Sequence, residues 1–363
     1  MKKKLRVAIL FGGKSAEHEI SLLSAKNIAE AIDKRKYQVV LIGIDKKGVW
    51  TLNRTLPSGK SILPSLPSGK TSKSLALVPG REVKQLVSHS NFQPLGPIDV
   101  VFPVLHGPFG EDGTVQGLLK LANVPFVGAS VLGSAVGMDK DVMKRLLRDA
   151  GIPSVKFLVL DRSSSGGIKF EKVKRYLKLP AFVKPANLGS SVGINKVKNR
   201  KQFESAVKEA FKFDHKILVE ESIQGREIEC SVLGNDQPIA SVPGEIITHH
   251  DFYSYKAKYQ NEKGAVLEIP AKLPVAIVHK VQDLAIKTFK ALCCDGMARV
   301  DFFLKNNQEV LVNEINTIPG FTKISMYPKL WEASGISYTK LIDRLIQLAL
   351  ERFKREKKLK TSR

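Results

Sequence analysis

The sequence predicts an α/β protein of more than one domain that opens on a parallel sheet. Three observations carry this: the chain length, a strand–Gly turn–helix–strand pattern at the start, and two apolar strands near the end with polar residues at matching positions. At 363 residues the chain is sized for two or three domains of about 100–200 residues each. With 43% hydrophobic and 26% charged residues it can bury sizeable cores, which excludes disordered, collagenous and disulfide-scaffold classes. Cys230 and the adjacent Cys293 and Cys294 offer no C-x-x-C spacing. Neither a thiolate zinc site nor a redox dithiol is expected, and free thiols in a reducing compartment are.

No stretch of about 20 apolar residues is present, so no membrane span is expected. After Met1-Lys2-Lys3-Lys4 the apolar run Val7–Phe11 meets Gly12, Gly13, Lys14 and Glu17. That is too short for a secretory leader and reads as a first strand, which predicts a cytoplasmic protein. Lys and Arg number 58 against 35 Asp and Glu, a net charge of +23. Such an excess fits a polyanion partner or a solvated basic surface that attracts small anionic substrates. Aromatic residues do not interleave with basic runs such as Arg352–Lys360, so neither nucleic acid nor membrane is expected as a partner.

Leu5–Phe11, the Gly12-Gly13 turn, a helix marked by Ile20, Leu23, Ile28, Ala31 and Ile32, and the run Tyr37–Ile44 make a βαβ unit. Parallel sheets bind ligands beyond the carboxyl ends of their strands, where Gly12–Glu17 lies. Residues 52–80 hold a local repeat, Leu56–Lys60 and Leu66–Lys70, and read as a loop insertion. Its Gly-Lys-Ser and Gly-Lys-Thr ends are not P-loops, because Arg54 and Pro64 stand where the first Gly must be. Asp99–Leu105 is a buried strand feeding the Gly-rich loop His106–Thr114 and a helix over Val115–Ala122. Asp139 caps a helix with Met143, Leu146, Leu147 and Ala150 on one face, stopped by Gly151 and Pro153. A first domain ends near 130, a second spans 131–222, and a third spans 223–363. The second holds strands at Ala181–Lys184, Ile194–Val197 and Ile217–Glu221 and a helix at Lys201–Phe211. The third holds strands Ile228–Leu233, Arg299–Leu304 and Glu309–Asn316 and helices near 273–292 and 338–354.

Arg299 and Asp301 are two apart and share a strand face, as do Glu314 and Asn316. The short link Lys305–Gln308 predicts that the two strands pair, which gathers Asp301, Glu314 and Asn316 into an all-oxygen site suited to Mg²⁺ and phosphate. The alternative is a solvated polar sheet face, which the apolar Val300, Phe302, Val312 and Ile315 argue against. The loop Gly189–Gly193, with Ser190 and Ser191 and with Lys184 just before it, can present N–H groups to a phosphate. Glu220, Glu221 and Glu227 follow or flank a strand, where they accept from ribose hydroxyls or an adenine amine, or form an exposed acidic turn. Asp251–Tyr259, with three Tyr and two Lys, reads as a lid over 250–270 or as an ordinary amphipathic segment.

These pieces occur in one order: FGGKSAEHEIS at 11–21, HGPFGEDGT at 106–114, MDK at 138–140, KPANLGSSVG at 184–193, YKAKY at 255–259, ARVD at 298–301, NEINT at 313–317, then Pro319-Gly320 and Ser325-Met326. Together they resemble the D-alanine:D-alanine ligases of the ATP-grasp superfamily over about residues 5–350. The resemblance implies a three-domain ATP-grasp fold and an ATP-dependent ligase of peptidoglycan precursor synthesis. D-alanine and ATP would be its substrates, two Mg²⁺ ions (Mn²⁺ being an alternative) its metals, and a homodimer its assembly. It implies that Asp301, Glu314 and Asn316 hold metal. Lys140 and Lys184 would neutralise phosphates under the Gly189–Gly193 loop, with Ser191 in that loop. Glu220, Glu221 and Glu227 would contact adenosine. Glu17 would pair with the first D-alanine's ammonium and bond to Ser190 and Tyr259. Arg299 and the N–H of Gly320 would stabilise an oxyanion, and His106 would lie near the first substrate. Ser325, the N–H of Met326 and Lys258 would take the second carboxylate. Retention of the lid residue Tyr259 favours a dipeptide product. D-lactate- or D-serine-accepting relatives, and other ATP-grasp acyl-phosphate enzymes, are alternatives within the superfamily. The 56–70 repeat and the high charge depart from the family pattern without touching a motif.

Overall fold

The computed structural model describes residues 3–53, 74–79, 85–163, 169–248 and 265–360. The 56–70 repeat, Lys258, Tyr259 and residues 250–264 of the expected lid lie outside them.

The first strand, β1 (Leu5–Gly12), is buried on both faces and lies between two parallel partners, β2 (Tyr37–Ile44) and β6 (Val100–Val104). The order β3-β2-β1-β6 is completed by antiparallel β3 (Trp50–Asn53), and β4 (Leu75–Leu77) pairs with β5 (Leu86–Ser88) beside it. Strand order reverses at β1, with β2 added on one side and β6 on the other, so the carboxyl ends of β1 and β6 flank one crevice. The loops Gly12–Glu17 and His106–Thr114 leave from those ends. Helix α1 (His18–Ala31) buries Ser21, Leu22, Ser24, Ala25, Ile28 and Ala29. The expected stripe through Ile20 and Leu23 is its half-buried margin, because small residues face the sheet where the helix approaches closely.

Helices α2 (Thr114–Leu121), α3 (Val131–Met138) and α4 (Lys140–Asp149) follow. Asp139 caps α4, accepting from the N–H of Asp141 and Val142 at 3.1 Å each. The buried face of α4 is Lys140, Asp141, Met143, Lys144 and Leu147. Ala150, expected there, is exposed, and a lysine takes part of the stripe. A second sheet has the antiparallel order β7-β10-β8-β9, from β7 (Phe157–Asp161), β8 (Ala181–Pro185), β9 (Asn195–Val197) and β10 (Lys216–Glu221). Helices α5 (Phe170–Leu177) and α6 (Arg200–Ala210) bury Phe170, Val173, Leu177, Phe203 and Ala206 against one face of it. On its other face Lys184 stands opposite Leu218, and Glu220 opposite Phe182.

The third sheet runs β14-β13-β11-β15-β16, with β12 (Ile239–Ala240) on β11 (Arg226–Gly234). Its other strands are β13 (Gly244–Thr248), β14 (Ala265–Glu268), β15 (Gly296–Lys305) and β16 (Glu309–Asn316), and α7 (Val275–Ala291) covers one face. The C-terminal helices α8 (Met326–Ala333) and α9 (Tyr338–Glu356) turn back to the first sheet. Tyr327, Trp331, Leu341 and Leu345 share a core with Val7, Ile9, Phe11 and Phe102. Among the described residues no helix is long and apolar enough to cross a membrane.

Gly12 closes β1 at φ +93°, where an added Cβ would sit 2.1 Å from the Ile44 carbonyl oxygen. That carbonyl also accepts from Gly13 N–H at 2.8 Å. Gly12→Ala combines a left-handed backbone with a backbone clash. It is expected to cost about 1–3 kcal/mol or more and to lower the melting temperature clearly; an unchanged melting curve would show that this turn is not rigid.

Candidate active site

Strands β15 and β16 pair antiparallel, with Arg299 opposite Asn316 and Asp301 opposite Glu314. The register slips between Asp301 and Phe302, where Val312 rather than Asn313 pairs with Phe302. This bulge re-aims β16, so that the apolar Val310–Val312 and the polar Glu314 and Asn316 both meet their partners. The sequence arithmetic of two residues per face therefore holds at Asp301, Glu314 and Asn316, which the structure brings together. Arg299 donates to both Asp301 oxygens, at 2.7 and 2.8 Å, and Asn316 Nδ2 donates to Asp301 Oδ2 at 2.9 Å. Arg299 Nε also lies 2.8 Å from Glu229 Oε2. Glu229 is buried on β11 directly opposite Asp301. Sequence reading passed over it, although an acid inside the apolar run Ile228–Leu233 signals a buried ion pair.

The fit to a metal follows from this chemistry. Among the described residues no group of three or more His, Cys, Asp or Glu is arranged to hold an ion. Two carboxylates and an amide oxygen nevertheless suit Mg²⁺, which takes one or two carboxylates and completes its shell with substrate phosphates and water. Both carboxylates face cations, Arg299 at Asp301 and Lys140 Nζ at 3.9 Å from Glu314.

A second cluster adjoins the first at Lys140. Lys140 and Lys144, one helical turn apart on α4, and Lys184 on β8 are buried, with exposures of 6%, 0% and 6%. Glu220 joins them: its Oε2 is 2.5 Å from Lys184 Nζ and its Oε1 3.3 Å from Lys144 Nζ. Burial works to raise the Glu220 carboxyl, but Lys144 and Lys184 outweigh it and hold the group below its ordinary value. Burial pushes the Lys140 and Lys144 ammoniums down, against the pull of Glu314 and Glu220. Lys140 Nζ donates at 2.6 Å to the carbonyl of Leu188, at the head of the Gly189–Gly193 loop. Ser190 and Ser191 hold left-handed backbone at φ 52° and 60°, and strain of this kind concentrates where a loop must present its backbone to a ligand. Glu221 does not face the lysines; its Oε1 accepts from Lys156 N–H at 2.9 Å. Glu227 stands on β11 opposite Ile246 and Phe303.

The two clusters meet the first sheet at Glu17. This residue precedes α1 and accepts a hydrogen bond from Ser190 Oγ, joining positions 173 residues apart. Gly107 and Gly189 line its approach; a Cβ on either would lie 3.0 or 3.6 Å from Glu17 Oε2. His106 is buried, with Nδ1 3.0 Å from the Ile318 carbonyl and 3.6 Å from Glu111. Burial lowers the His106 imidazole, yet Glu111 and Glu17 outweigh it and raise the group above its ordinary value. His106 thus braces the loop that carries Gly320. Ser24 Oγ accepts from Phe321 N–H at 3.2 Å, and Tyr338 donates to the Phe321 carbonyl at 2.5 Å. A Cβ on Gly320 would lie 2.8 Å from Ser325 Oγ. Ser325 Oγ takes the Thr322 N–H at 3.0 Å, and Met326 opens α8, whose first N–H groups have no intrahelical acceptor.

Residues 6–129 match the family described as D-ala D-ala ligase N-terminus, and residues 146–347 the D-ala D-ala ligase C-terminus. The chain is 58% identical over 365 residues to the D-alanine–D-alanine ligase of Oceanobacillus iheyensis, covering 100% of this chain and 99% of that one. It is 54% identical over 368 residues to D-alanine–D-alanine ligase A of Escherichia coli K12, covering 99% and 100%. These near-complete overlaps show that this chain and these relatives are of nearly equal length. Among solved structures, the Coxiella burnetii D-alanine–D-alanine ligase superposes with a TM-score of 0.86 at 42% identity, covering 98% of this chain and 96% of that one. The VanG D-Ala:D-Ser ligase of Enterococcus faecalis gives 0.84 at 34%, covering 96% and 100%. A Bacillus anthracis D-alanine–D-alanine ligase complexed with ATP gives 0.74 at 28%, covering 98% and 100%. Full-length identity above one half and both halves of the family's sequence pattern coincide with this ATP-grasp architecture, and the chain belongs to the D-alanine–D-alanine ligase family.

Proposed function

We propose that this protein joins two D-alanines into D-alanyl-D-alanine at the expense of ATP, for peptidoglycan precursor synthesis. The observation that carries the reading is the convergence of Lys140, Lys184 and the Gly189–Gly193 loop with the Asp301–Glu314 pair and the Glu17–Ser190 bond. In the first step a carboxylate oxygen of one D-alanine bonds to the γ-phosphorus, and ADP leaves. In the second, the amine of another D-alanine attacks the acyl carbon, loses a proton, and phosphate leaves.

The chain's contribution to phosphoryl transfer is positioning and charge neutralisation. In this reading Lys140 and Lys184 bind α/β-phosphate oxygens, and Ser191 lies in the loop covering them. Glu220 and Glu227 contact adenosine, and Glu221 neighbours that contact with its side chain turned to the Lys156 N–H. Asp301, Glu314 and Asn316 would hold two Mg²⁺ (or Mn²⁺) ions, whose charge draws the phosphate oxygens into place and offsets the charge that develops on them. Glu17, fixed by Ser190, orients the first D-alanine through its ammonium, with His106 close by. Arg299, itself oriented by Glu229 and Asp301, and the Gly320 N–H neutralise the oxyanion of the tetrahedral state. Ser325, the Met326 N–H and Lys258 take the second carboxylate, and Tyr259 closes over the acyl phosphate, which water would hydrolyse. The same reading divides the chain at 130 and 222 and makes it a cytoplasmic homodimer.

D-alanine with Mg²⁺ and ATP should release phosphate and yield D-alanyl-D-alanine by mass, while L-alanine yields nothing. Product formed only when D-serine or D-lactate is added would move the acceptor assignment away from the dipeptide and overturn the inference from Tyr259. Glu314→Gln is expected to lower kcat by at least about a hundredfold, the scale at which removal of one preorganised electrostatic group is felt, and to raise the Mg²⁺ concentration needed for half-activity. Near-normal turnover at ordinary Mg²⁺ would remove Glu314 from the metal site.

A further inference from the structure

Lys144 has no part in the chemistry above, yet it is the most deeply buried of the cleft lysines. We propose that Lys144 is a positioning residue for the nucleobase: its charge holds the Glu220 carboxylate as an acceptor for the exocyclic amine of adenine, and so sets the preference for adenine over 6-oxopurines. The proposal rests on the reading that Glu220 contacts adenosine.

A fully buried ammonium is costly unless an anion compensates it. Among the described residues the ion-pair partner of Lys144 is Glu220 alone, at 3.3 Å from Oε1, and the ammonium lies 5.9 Å from the centroid of the Phe157 ring. Lys140 is directed otherwise, and Lys184, though paired with Glu220 at 2.5 Å, also stands beside the phosphate loop. Lys140 donates to Leu188 at the phosphate loop, and Lys184 stands at the end of the strand that leads into it. Lys144 is one turn further along α4, where its ion-pair partner is the Glu220 carboxylate. The two oxygens of Glu220 are thereby divided, Oε2 to Lys184 and Oε1 to Lys144.

This division matters when nucleotide binds. Phosphates compete with Glu220 for Lys184, and Lys144 is then the cation that remains to keep the carboxylate charged and oriented. Lys184 takes one lone pair of Oε2, while Oε1 has no hydrogen-bond partner among the described residues, so Glu220 can still accept from a base. An ionised carboxylate attracts the amine of adenine and repels the carbonyl oxygen of hypoxanthine or guanine. A neutral carboxyl would donate to that carbonyl and lose the distinction. Lys144 therefore turns a carboxylate near a nucleotide into one that discriminates between bases.

The test compares kcat/KM for ATP and for ITP, with D-alanine as co-substrate, in the full-length enzyme and in Lys144→Met, Glu220→Gln and the double variant. Loss of a hydrogen bond to a charged group predicts that each single variant lowers the ATP:ITP ratio by roughly ten- to a hundredfold. The change should appear mainly in the nucleotide KM, with the D-alanine KM unmoved, and the double variant should fall no further than Glu220→Gln. A wild-type ratio in folded Lys144→Met, or equal losses with both nucleotides, would overturn the proposal while leaving Glu220 at the base. A wild-type ratio in Glu220→Gln would instead overturn the adenosine reading of Glu220, and this proposal with it. Should Lys144→Met not fold, Lys144→Gln, which keeps an N–H donor without the charge, is expected to lower the ratio at least fivefold on the same scale, and an unchanged ratio there is equally decisive against it.

Discussion

Everything at the centre of this molecule depends on charges buried between α4, β8, β10 and β16. Lys140, Lys144, Lys184 and Glu220 are removed from bulk water, and the partly exposed Glu314 reaches them at Lys140. Breaking such a cluster by removing one partner typically costs about 3–5 kcal/mol, because a buried charge is left uncompensated. The cluster is thus a poor source of net stability but a strong constraint on geometry. It fixes the rotation of α4, which Asp139 starts and caps, and it fixes the strand faces that carry Lys184 and Glu220. Three cations against two anions also leave a positive surplus facing the cleft, which suits an anionic substrate that sheds its water on entry.

The second constraint is that the site is shared by elements remote in sequence. Glu17 follows β1, its partner Ser190 lies after β8, and the loop around Gly320 follows β16. That loop is tied to the first sheet by His106 at Ile318, by Ser24 at Phe321, and by the common core of Phe11, Phe102 and Phe321. Arg352 clamps the far side, donating to the Gly128 and Phe126 carbonyls at 2.5 and 2.8 Å and lying over the Phe126 ring. The parallel sheet is therefore more than a neighbouring domain. It sets the position of one wall of the cleft, and the Gly12 turn is where that wall begins.

Much of this was legible in the sequence because it rests on local rules. Period-two arithmetic put Asp301, Glu314 and Asn316 on one face, and the observed register agrees despite the bulge. Gly-rich strand ends marked the loops after β1 and β6, and Asp139 marked the start of α4. What escaped were features in which a buried charge replaces an apolar residue. The stripe assigned to Met143, Leu146, Leu147 and Ala150 proved to run through Lys144. Glu229 was hidden in the same way among the apolar residues of β11. Hydrophobic periodicity reports a buried face only when that face is apolar, and at a binding cleft it need not be. The return of α8 and α9 to the first sheet, which joins Trp331 and Leu345 to Val7 and Ile9, was equally invisible, since it is a long-range packing choice with no local signature.

The assignment of the lysine cluster to a polyphosphate is best tested by counting protons. Burial holds the Lys140 ammonium below its ordinary range, and an adjacent polyanion would raise it again. Titration calorimetry of ATP with Mg²⁺, without D-alanine, in buffers of different ionisation enthalpy gives the protons exchanged on binding. Net proton uptake that grows as the pH is made alkaline is the predicted result, and it should shrink in Lys140→Met. Binding with no proton uptake at any alkaline pH would contradict the placement of the phosphates against Lys140.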